Sequence, residues 1–320
     1  MLALGLDTSC YTTSAALCGD SLAPQQRRQL LPVPAGERGL RQSEAVFAHV
    51  RQLSQVLLPL LENAPGPIDC VCASVSPRDG EDSYMPVFQV GASHGRAIAA
   101  ALQVPFYETT HQRGHLAAAK WGTDLKSEKY IALHLSGGTT DVLLKEKDFI
   151  TPLGTSVDLH AGQLVDRVGV ALSLPFPCGP YLEELARKGE SRARIPVSME
   201  NQDLSCHLSG AEAQLMRLVA SGERKEDIAA EVYSVLSRTV LRLLAAAAEK
   251  TGVRDMLLAG GVASSALFRE LLHERNEKRR MRLKLHFGRP EFSGDNAVGA
   301  ALIGLEKHQK EKENGSIAGW

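Results

Sequence analysis

The 320 residues carry 36 Lys and Arg against 37 Asp and Glu, a formal net charge of -1. That balance excludes a strongly basic nucleic-acid coat and an acidic solvating tail. Hydrophobic residues at 44% and charged residues at 23% fit a globular chain with a good core, about two domains long. No apolar run reaches the roughly eighteen residues that a membrane span needs. The N-terminus opens straight into a strand-like run without a basic region or cleavage site, so a cytoplasmic protein is expected. Cysteines 10, 18, 70, 72, 178 and 206 form no CxxC pair, which points to reduced, mostly buried thiols. Cys70 and Cys72 read as residues on alternating sides of a strand rather than as metal ligands.

In chain order, Leu2–Ser9 and Thr12–Leu17 read as a hairpin with a small-residue turn. A helix is predicted over Ser43–Leu61 from Val46, Val50, Leu53, Leu57 and Leu60, ending at Asn63-Ala64-Pro65-Gly66-Pro67. A buried strand over Ile68–Val75, a small-residue helix over Gly91–Leu102 and a strand over Val104–Tyr107 follow. Tyr130–Leu144 repeats the opening pattern of strand, small turn, Thr-Thr and strand, with Ala132-Leu133 lying 129 positions after Ala3-Leu4. A long amphipathic helix spans Ile228–Lys250, with Gly252 past its end. The strand Met256–Ala259 runs into Gly260-Gly261, and then come a helix over Ser264–Leu272, a strand over Lys284–Phe287 and a helix over Ala297–Leu305. The polar tail from Glu306 is expected to fray. Alternating strands and helices indicate an α/β architecture.

Three turns follow or join strands: Asp7-Thr8-Ser9, Ser136-Gly137-Gly138-Thr139-Thr140 and Gly260-Gly261. None is a Walker A loop or a GxGxxG. Glycine there lets backbone N–H groups approach a phosphate, with hydroxyls as further donors. Two similar hairpins followed by a strand-Gly-Gly-helix unit match the layout of the actin, Hsp70 and sugar-kinase superfamily, in which a nucleotide lies between duplicated ribonuclease-H-like lobes. On that layout the first lobe takes residues 1–106 plus about 290–306, the second 107–289, and 307–320 form the tail.

His111 and His115 stand four apart, on one face of a helix, where two imidazoles can chelate one metal ion. No HExxH is present, so a zinc protease lacks its glutamate. Asp295, before the Ala297–Leu305 helix, is a third ligand or a helix N-cap; composition does not separate the two.

The ordered set LGLDTSC, HQRGH, LSGGTTDVLL, GQLVDRVGVALSLPFPCGPYLEELA, DLSCHLSG, LAGGVASSALFREL and FSGDNAVGAALIG resembles the TsaD family of tRNA threonylcarbamoyladenosine synthases, formerly misnamed O-sialoglycoprotein endopeptidases, over nearly the whole chain. The resemblance implies a two-lobed actin-like fold and one divalent metal, iron or zinc, on His111, His115 and Asp295. It implies an adenine nucleotide or adenylate at Ser136, Gly137, Gly138, Thr139, Asp166, Gly179, Gly260, Gly261 and Ser265, with Asp166 suited to ribose hydroxyls. The implied reaction moves a threonylcarbamoyl group from threonylcarbamoyl-AMP to the adenosine beside a tRNA anticodon. A homologous partner protein or a second copy, docking through the Ser43–Leu61 helix, is implied as well.

The chain departs from the family in four places. Tyr11-Thr12 stands where an acidic pair follows the cysteine, and the P-G-x-G segment gives way to Ser76–Pro86 with Asp79, Glu81 and Asp82. Thr139 replaces His, and Ser265 replaces Asn. No catalytic base is therefore assigned. The alternatives to the transfer reaction are a nucleotide- and metal-binding paralogue acting as regulator or scaffold, and a carbamoyl transferase with another acceptor. Arg275, Lys278, Arg279, Arg280, Arg282 and Lys284 form a basic stretch, read as a solvated helix end ahead of a tRNA phosphate contact.

Overall fold

The structure, a computed structural model, describes residues 1–32, 40–80, 82–200 and 202–315. The elements in order are β1 (Leu2–Thr8), β2 (Thr12–Gly19), β3 (Leu22–Leu30), α1 (Gln42–Glu62), β4 (Cys70–Ser76), α2 (Phe88–Leu102), β5 (Phe106–Thr110) and α3 (His111–Lys120). They continue with β6 (Lys129–Leu135), β7 (Thr140–Glu146), β8 (Phe149–Thr155), α4 (Ala161–Ala171), α5 (Gly179–Ala186), β9 (Ser198–Glu200), β10 (Ser205–His207), α6 (Ser209–Ala220) and α7 (Lys225–Thr251). Last come β11 (Asp255–Ala259), α8 (Ala266–Lys278), β12 (Lys284–Phe287) and α9 (Val298–Glu313).

Two units result. The first holds residues 1–118 and 294–320 and the second 119–293. The boundary thus falls after Ala118 and not after residue 106, because β5 pairs with β4 and α3 follows it without a break. The segment read as a polar tail belongs to α9 as far as Glu313. Leu305 and His308 are buried, and the buried Tyr107 hydroxyl donates to Glu311 Oε2 at 2.6 Å. Residues 316–320 lie outside the described residues.

Each unit contains a five-stranded mixed sheet, ordered β3-β2-β1-β4-β5 in the first and β12-β11-β6-β7-β8 in the second. Three strands run antiparallel and the next two join in parallel in both cases. The repeat seen in the sequence is therefore a repeat of sheet topology. Thr8 faces Thr13 in the first hairpin and Leu135 faces Thr140 in the second, so Thr13 corresponds to Thr140, two positions short of the 129-residue offset.

Period-two alternation explains how β1 is covered. Leu2, Leu4 and Leu6 join the apolar layer with Leu53, Val56, Leu57 and Leu60 of α1. Ala3 packs on the opposite face with Cys70, Cys72, Ala300 and Leu305. Cys70 and Cys72 thus share one side of β4, as residues two apart must, and do not alternate. On that side a Cβ at Gly5 would overlap the Ala297 carbonyl and the Ala301 amide, so α9 rests directly on the strand.

The predicted helix of residues 43–61 exists as α1, but Val50 is half exposed and the inward positions include His49 and Gln52. Gly252 ends α7 in the left-handed region, at φ 73°, where glycine avoids the steric cost of a Cβ.

All six cysteines are free, and only Cys10 is less than fully buried. Burial pushes Cys18, Cys70 and Cys72 up to about 12 and Cys206 to about 11. At pH 8 a thiol of pKa 12 is thiolate to the extent of about one part in ten thousand. Iodoacetamide at pH 8 is therefore expected to alkylate at most Cys10 in the native protein and all six thiols after denaturation; a mass shift for two or more adducts on the native chain would contradict this packing.

Candidate functional site

The first unit brings His111, His115 and Asp295 together. One imidazole or carboxylate atom from each lies within 4.8 Å of the other two. His111 Nε2 and His115 Nε2 are 3.0 Å apart, and Asp295 Oδ1 stands 3.5 Å from the first and 3.4 Å from the second. Helical spacing on α3 aligns the two rings, which meet edge to face at 4.3 Å. Asp295 does not cap α9. That helix begins after Ala297, and Asn296 Oδ1 accepts from the Val298 amide at 3.0 Å.

A close backbone crossing sets the approach of these elements. Gly114 lies between the two histidines, and a Cβ on Gly299 of α9 would overlap its carbonyl.

Two residues that motif reading missed complete the site. Asp7, 1% exposed, accepts from His111 Nδ1 at 2.9 Å through Oδ2. With Nδ1–H given to Asp7, Nε2 is the nitrogen left to bind an ion, the arrangement in which a carboxylate orients a ligating imidazole. Asp7 Oδ1 is buried without a hydrogen-bond partner among the described residues. Ser9 Oγ donates to Asp295 Oδ2 at 2.7 Å. The sequence signal for Asp7 was alternation: it follows Ala3 and Gly5 on the face that meets α9. Burial would lower the pKa of His111, but the Asp7 and Asp295 carboxylates override it and hold the ring well above its ordinary 6.5. Burial would raise Asp295, but the two histidines hold it well below the usual carboxylate range. Two nitrogens from one helix and one oxygen from the bend before α9, with one of the imidazoles oriented from behind, fit a divalent transition metal.

The acids of the Ser76–Pro86 segment stand in different surroundings. Asp79 is held in a fork by Arg113 at 2.8 Å for both bonds. Asp82 is exposed, and Glu81 lies outside the described residues. Tyr11 is 53% exposed and Thr12 is buried.

The nine positions expected to meet a nucleotide all fall within the second unit. Ser136 Oγ accepts from the Gly138 and Thr139 amides at 3.2 and 3.0 Å and lies 2.9 Å from Thr139 Oγ1. Thr139 Oγ1 is in turn 3.3 Å from His134 Nδ1. Gly137 and Gly138 have nothing within 4 Å of an added Cβ, so the turn is open above its backbone. The first turn of α4 abuts it. The Gly162 amide donates to the Ser136 carbonyl at 3.0 Å, and a Cβ there would stand 2.6 Å from the Gly137 nitrogen.

Gly260, at φ 97°, presses on the Leu135 carbonyl where a side chain would clash. Gly261 opens onto free space. Asp166 Oδ1 accepts from the Cys178 amide at 2.9 Å, which anchors the α4–α5 connection. The Tyr233 hydroxyl donates to the Gly179 carbonyl at 3.1 Å and also contacts Ser265. Ser265 caps α8, accepting from Phe268 at 3.2 Å. The Gly138 and Thr139 amides already go to Ser136 Oγ, and the first α4 amides to Thr140 Oγ1 and the Ser136 carbonyl, so a phosphate here would meet the open backbone of the turn rather than free helix donors. Tyr233, His134 and Gly162 were not singled out in the sequence because each acts through tertiary contact alone.

In the basic stretch, Arg275 turns inward and donates to Ser234 Oγ at 3.2 Å, so it is not part of a solvated run.

The profile of the family described as TsaD, tRNA N6-adenosine threonylcarbamoyltransferase, matches residues 38–302. A tRNA N6-adenosine threonylcarbamoyltransferase of Methanopyrus kandleri is 30% identical over 97% of this chain and 88% of its own. One from Thermus thermophilus is 30% identical over 97% of this chain and 94% of its own. Among solved structures, a ROK family glucokinase from Streptomyces griseus in complex with glucose and AMPPNP superposes with a TM-score of 0.55 at 11% identity, over 96% of this chain and 100% of that one. This last likeness concerns the fold, which is the two-lobed sugar-kinase-like type.

Proposed function

This chain belongs to the TsaD family of tRNA N6-adenosine threonylcarbamoyltransferases, and from that premise we propose that it transfers a threonylcarbamoyl group from threonylcarbamoyl-AMP to the N6 amine of the adenosine beside a tRNA anticodon. The observation that carries the reading is the survival of the ligand set His111, His115 and Asp295, with Asp7 and Ser9 holding two of its members. The bound ion, iron or zinc, would supply Lewis-acid polarisation.

The chain's own residues do the rest. Asp7 fixes the ring of His111 and Ser9 restrains Asp295. The turn at Gly137 and Gly138, open above its backbone, receives the adenylate phosphate, and the Asp166 carboxylate accepts from the ribose. Positioning brings the amine to the carbamoyl carbon; the new N–C bond forms as the C–O bond to the phosphate breaks, AMP leaves, and the proton released by the amine passes to solvent. With Asp79 engaged by Arg113, none of the Ser76–Pro86 acids is offered as a base. The same reading includes tRNA, a homologous partner or a second copy, and a cytoplasmic setting. No described helix is long and apolar enough to cross a membrane.

The test is reconstitution. Protein, threonylcarbamoyl-AMP and unmodified tRNA are incubated with and without the homologous partner, and digested nucleosides are analysed by mass spectrometry. Threonylcarbamoyladenosine is expected, with Asp166→Ala raising the KM for the adenylate about tenfold or more, the loss of one to two hydrogen bonds to a charged group. Adenylate binding without product in either mixture would overturn the transfer reaction.

A further inference from the structure

A file of buried polar side chains crosses the apolar layer between α1 and the first sheet. The inward face of α1 is apolar at Leu53, Val56, Leu57 and Leu60, yet one turn earlier it carries His49, wholly buried, and Gln52, 7% exposed. Burying an imidazole and an amide costs free energy unless their polar atoms are paired, and here the single Thr13 hydrogen is shared between two acceptors, Gln52 Oε1 and His49 Nδ1. The Gln52 amide donates to the Leu30 carbonyl at 3.2 Å, and its oxygen is 2.9 Å from the Thr13 hydroxyl. Thr13 Oγ1 is 2.8 Å from His49 Nδ1, and His49 Nε2 is 2.8 Å from the Ser9 carbonyl. That carbonyl only accepts, so Nε2 carries the hydrogen. Burial lowers the pKa of His49 and keeps the ring neutral.

Ser9 occupies the tight turn between β1 and β2 and faces both sides of the sheet. Its carbonyl meets α1, and its hydroxyl meets Asp295 Oδ2. The hydroxyl has a competing acceptor, the Thr12 carbonyl at 3.5 Å. Holding the Ser9 carbonyl fixes the turn and favours Asp295 at 2.7 Å. With Oδ2 engaged, Oδ1 is the oxygen that faces the two imidazoles.

We propose that His49 is a positioning residue for Asp295, acting through Ser9, and that α1 is thereby coupled to the metal ligands. This rests on the reading of His111, His115 and Asp295 as a metal site. Anything that displaces α1 changes the hold on Asp295 without touching the ion.

Cobalt(II) is the probe, because its visible spectrum reports ligand geometry and chelator competition reports affinity. Four variants are compared with wild type: His49→Ala, His49→Gln, Ser9→Ala and Leu57→Ala. Second-layer partners of metal ligands typically contribute about ten- to hundredfold in affinity, so His49→Ala and Ser9→Ala are each expected to weaken cobalt binding at least tenfold and to alter the spectrum. His49→Gln, whose amide nitrogen can donate to the Ser9 carbonyl, returns affinity to within a few-fold of wild type. Leu57→Ala lowers thermal stability as a core truncation should and leaves the cobalt spectrum unchanged.

Wild-type affinity and spectrum in His49→Ala would overturn the proposal, as would a Leu57→Ala loss as large as that of His49→Ala or the absence of recovery in His49→Gln. If His49→Ala does not fold, wild-type affinity in Ser9→Ala overturns it equally. A wild-type protein that takes up no cobalt overturns the metal reading, and the positioning role with it; that result is distinct from a wild type that binds while the variants do not differ.

Discussion

Replacing either His111 or His115 with alanine abolishes stoichiometric metal uptake, and the two variants differ in stability when metal-free. On the proposed reading each histidine supplies one of three ligands, and two remaining ligands on separate elements hold an ion poorly. The stability difference comes from what each ring touches. His111 donates to Asp7 Oδ2, and Asp7 is 1% exposed with its other oxygen already unpaired among the described residues. Removing that ring takes a donor from a buried carboxylate, at a cost of about 1–3 kcal/mol or more. His115 faces His111 and the less buried Asp295, whose other oxygen keeps Ser9.

His111→Ala is therefore expected to unfold clearly earlier than the metal-free wild type, and Asp7→Asn in the His111→Ala background to recover part of the loss. Urea unfolding with elemental analysis decides; one equivalent of metal in His115→Ala would remove that ligand from the site. The pH dependence follows from the same contacts. The raised pKa of His111 means that the metal-free ring holds a proton which an ion must displace, so affinity weakens as pH falls. In the metal-free protein the stabilisation from His111 is full below its ordinary value of 6.5 and fades as pH rises through the elevated one. That from Asp295 is present above its ordinary value of 3.8 and is lost as pH falls through the depressed one.

The second large effect is expected at a residue with no functional group. In Gly299→Ala the new methyl meets the carbonyl and Cα of Gly114, and neither α3 nor α9 offers a flexible side chain there that could yield. Overpacking of this kind costs about 1–3 kcal/mol. It also separates the two elements that carry the histidines and Asp295. We expect an earlier unfolding midpoint and roughly a tenfold or greater loss of cobalt affinity together. Gly66→Ala, where an added Cβ meets nothing within 4 Å, serves as the comparison and should change neither. A Gly299→Ala protein that is less stable but binds cobalt as wild type would show that the helix crossing does not set the ligand spacing.

The duplicated sheets were legible because two hairpins share a pattern and hydrophobic periodicity marks the later strands and α7. β3 was not legible. Its run Leu22–Leu30 includes Gln25, Gln26, Arg27, Arg28 and Gln29, an edge strand whose charges suit solvent and hide its period. In the candidate metal site, His111 and His115 announced themselves by spacing, and only the family resemblance separated Asp295 as a ligand from Asp295 as a helix cap. Asp7, Ser9 and His49 did not announce themselves, since each looks like an ordinary strand, turn or helix residue until its partner arrives. Ser9 and Asp295 are 286 positions apart, and no local pattern encodes that meeting. Val50 fitted the helical stripe but lies outside it; the slot beside it holds His49, where a polar partner and not hydrophobicity decided the residue.

The discontinuity of the first unit has a consequence for biosynthesis. The ribosome makes residues 1–118, then the whole of the second unit, and only then Asp295 and α9. At about 5–20 residues per second the early sheet waits on the order of ten to thirty seconds with the α9 side of β1 and β4 uncovered. A nascent chain paused before Gly294 carries two histidines and the carboxylate that orients one of them, but no third ligand. On the proposed metal reading, a newly made molecule gains its third ligand only after the whole second unit has been synthesised and α9 has docked on the early sheet.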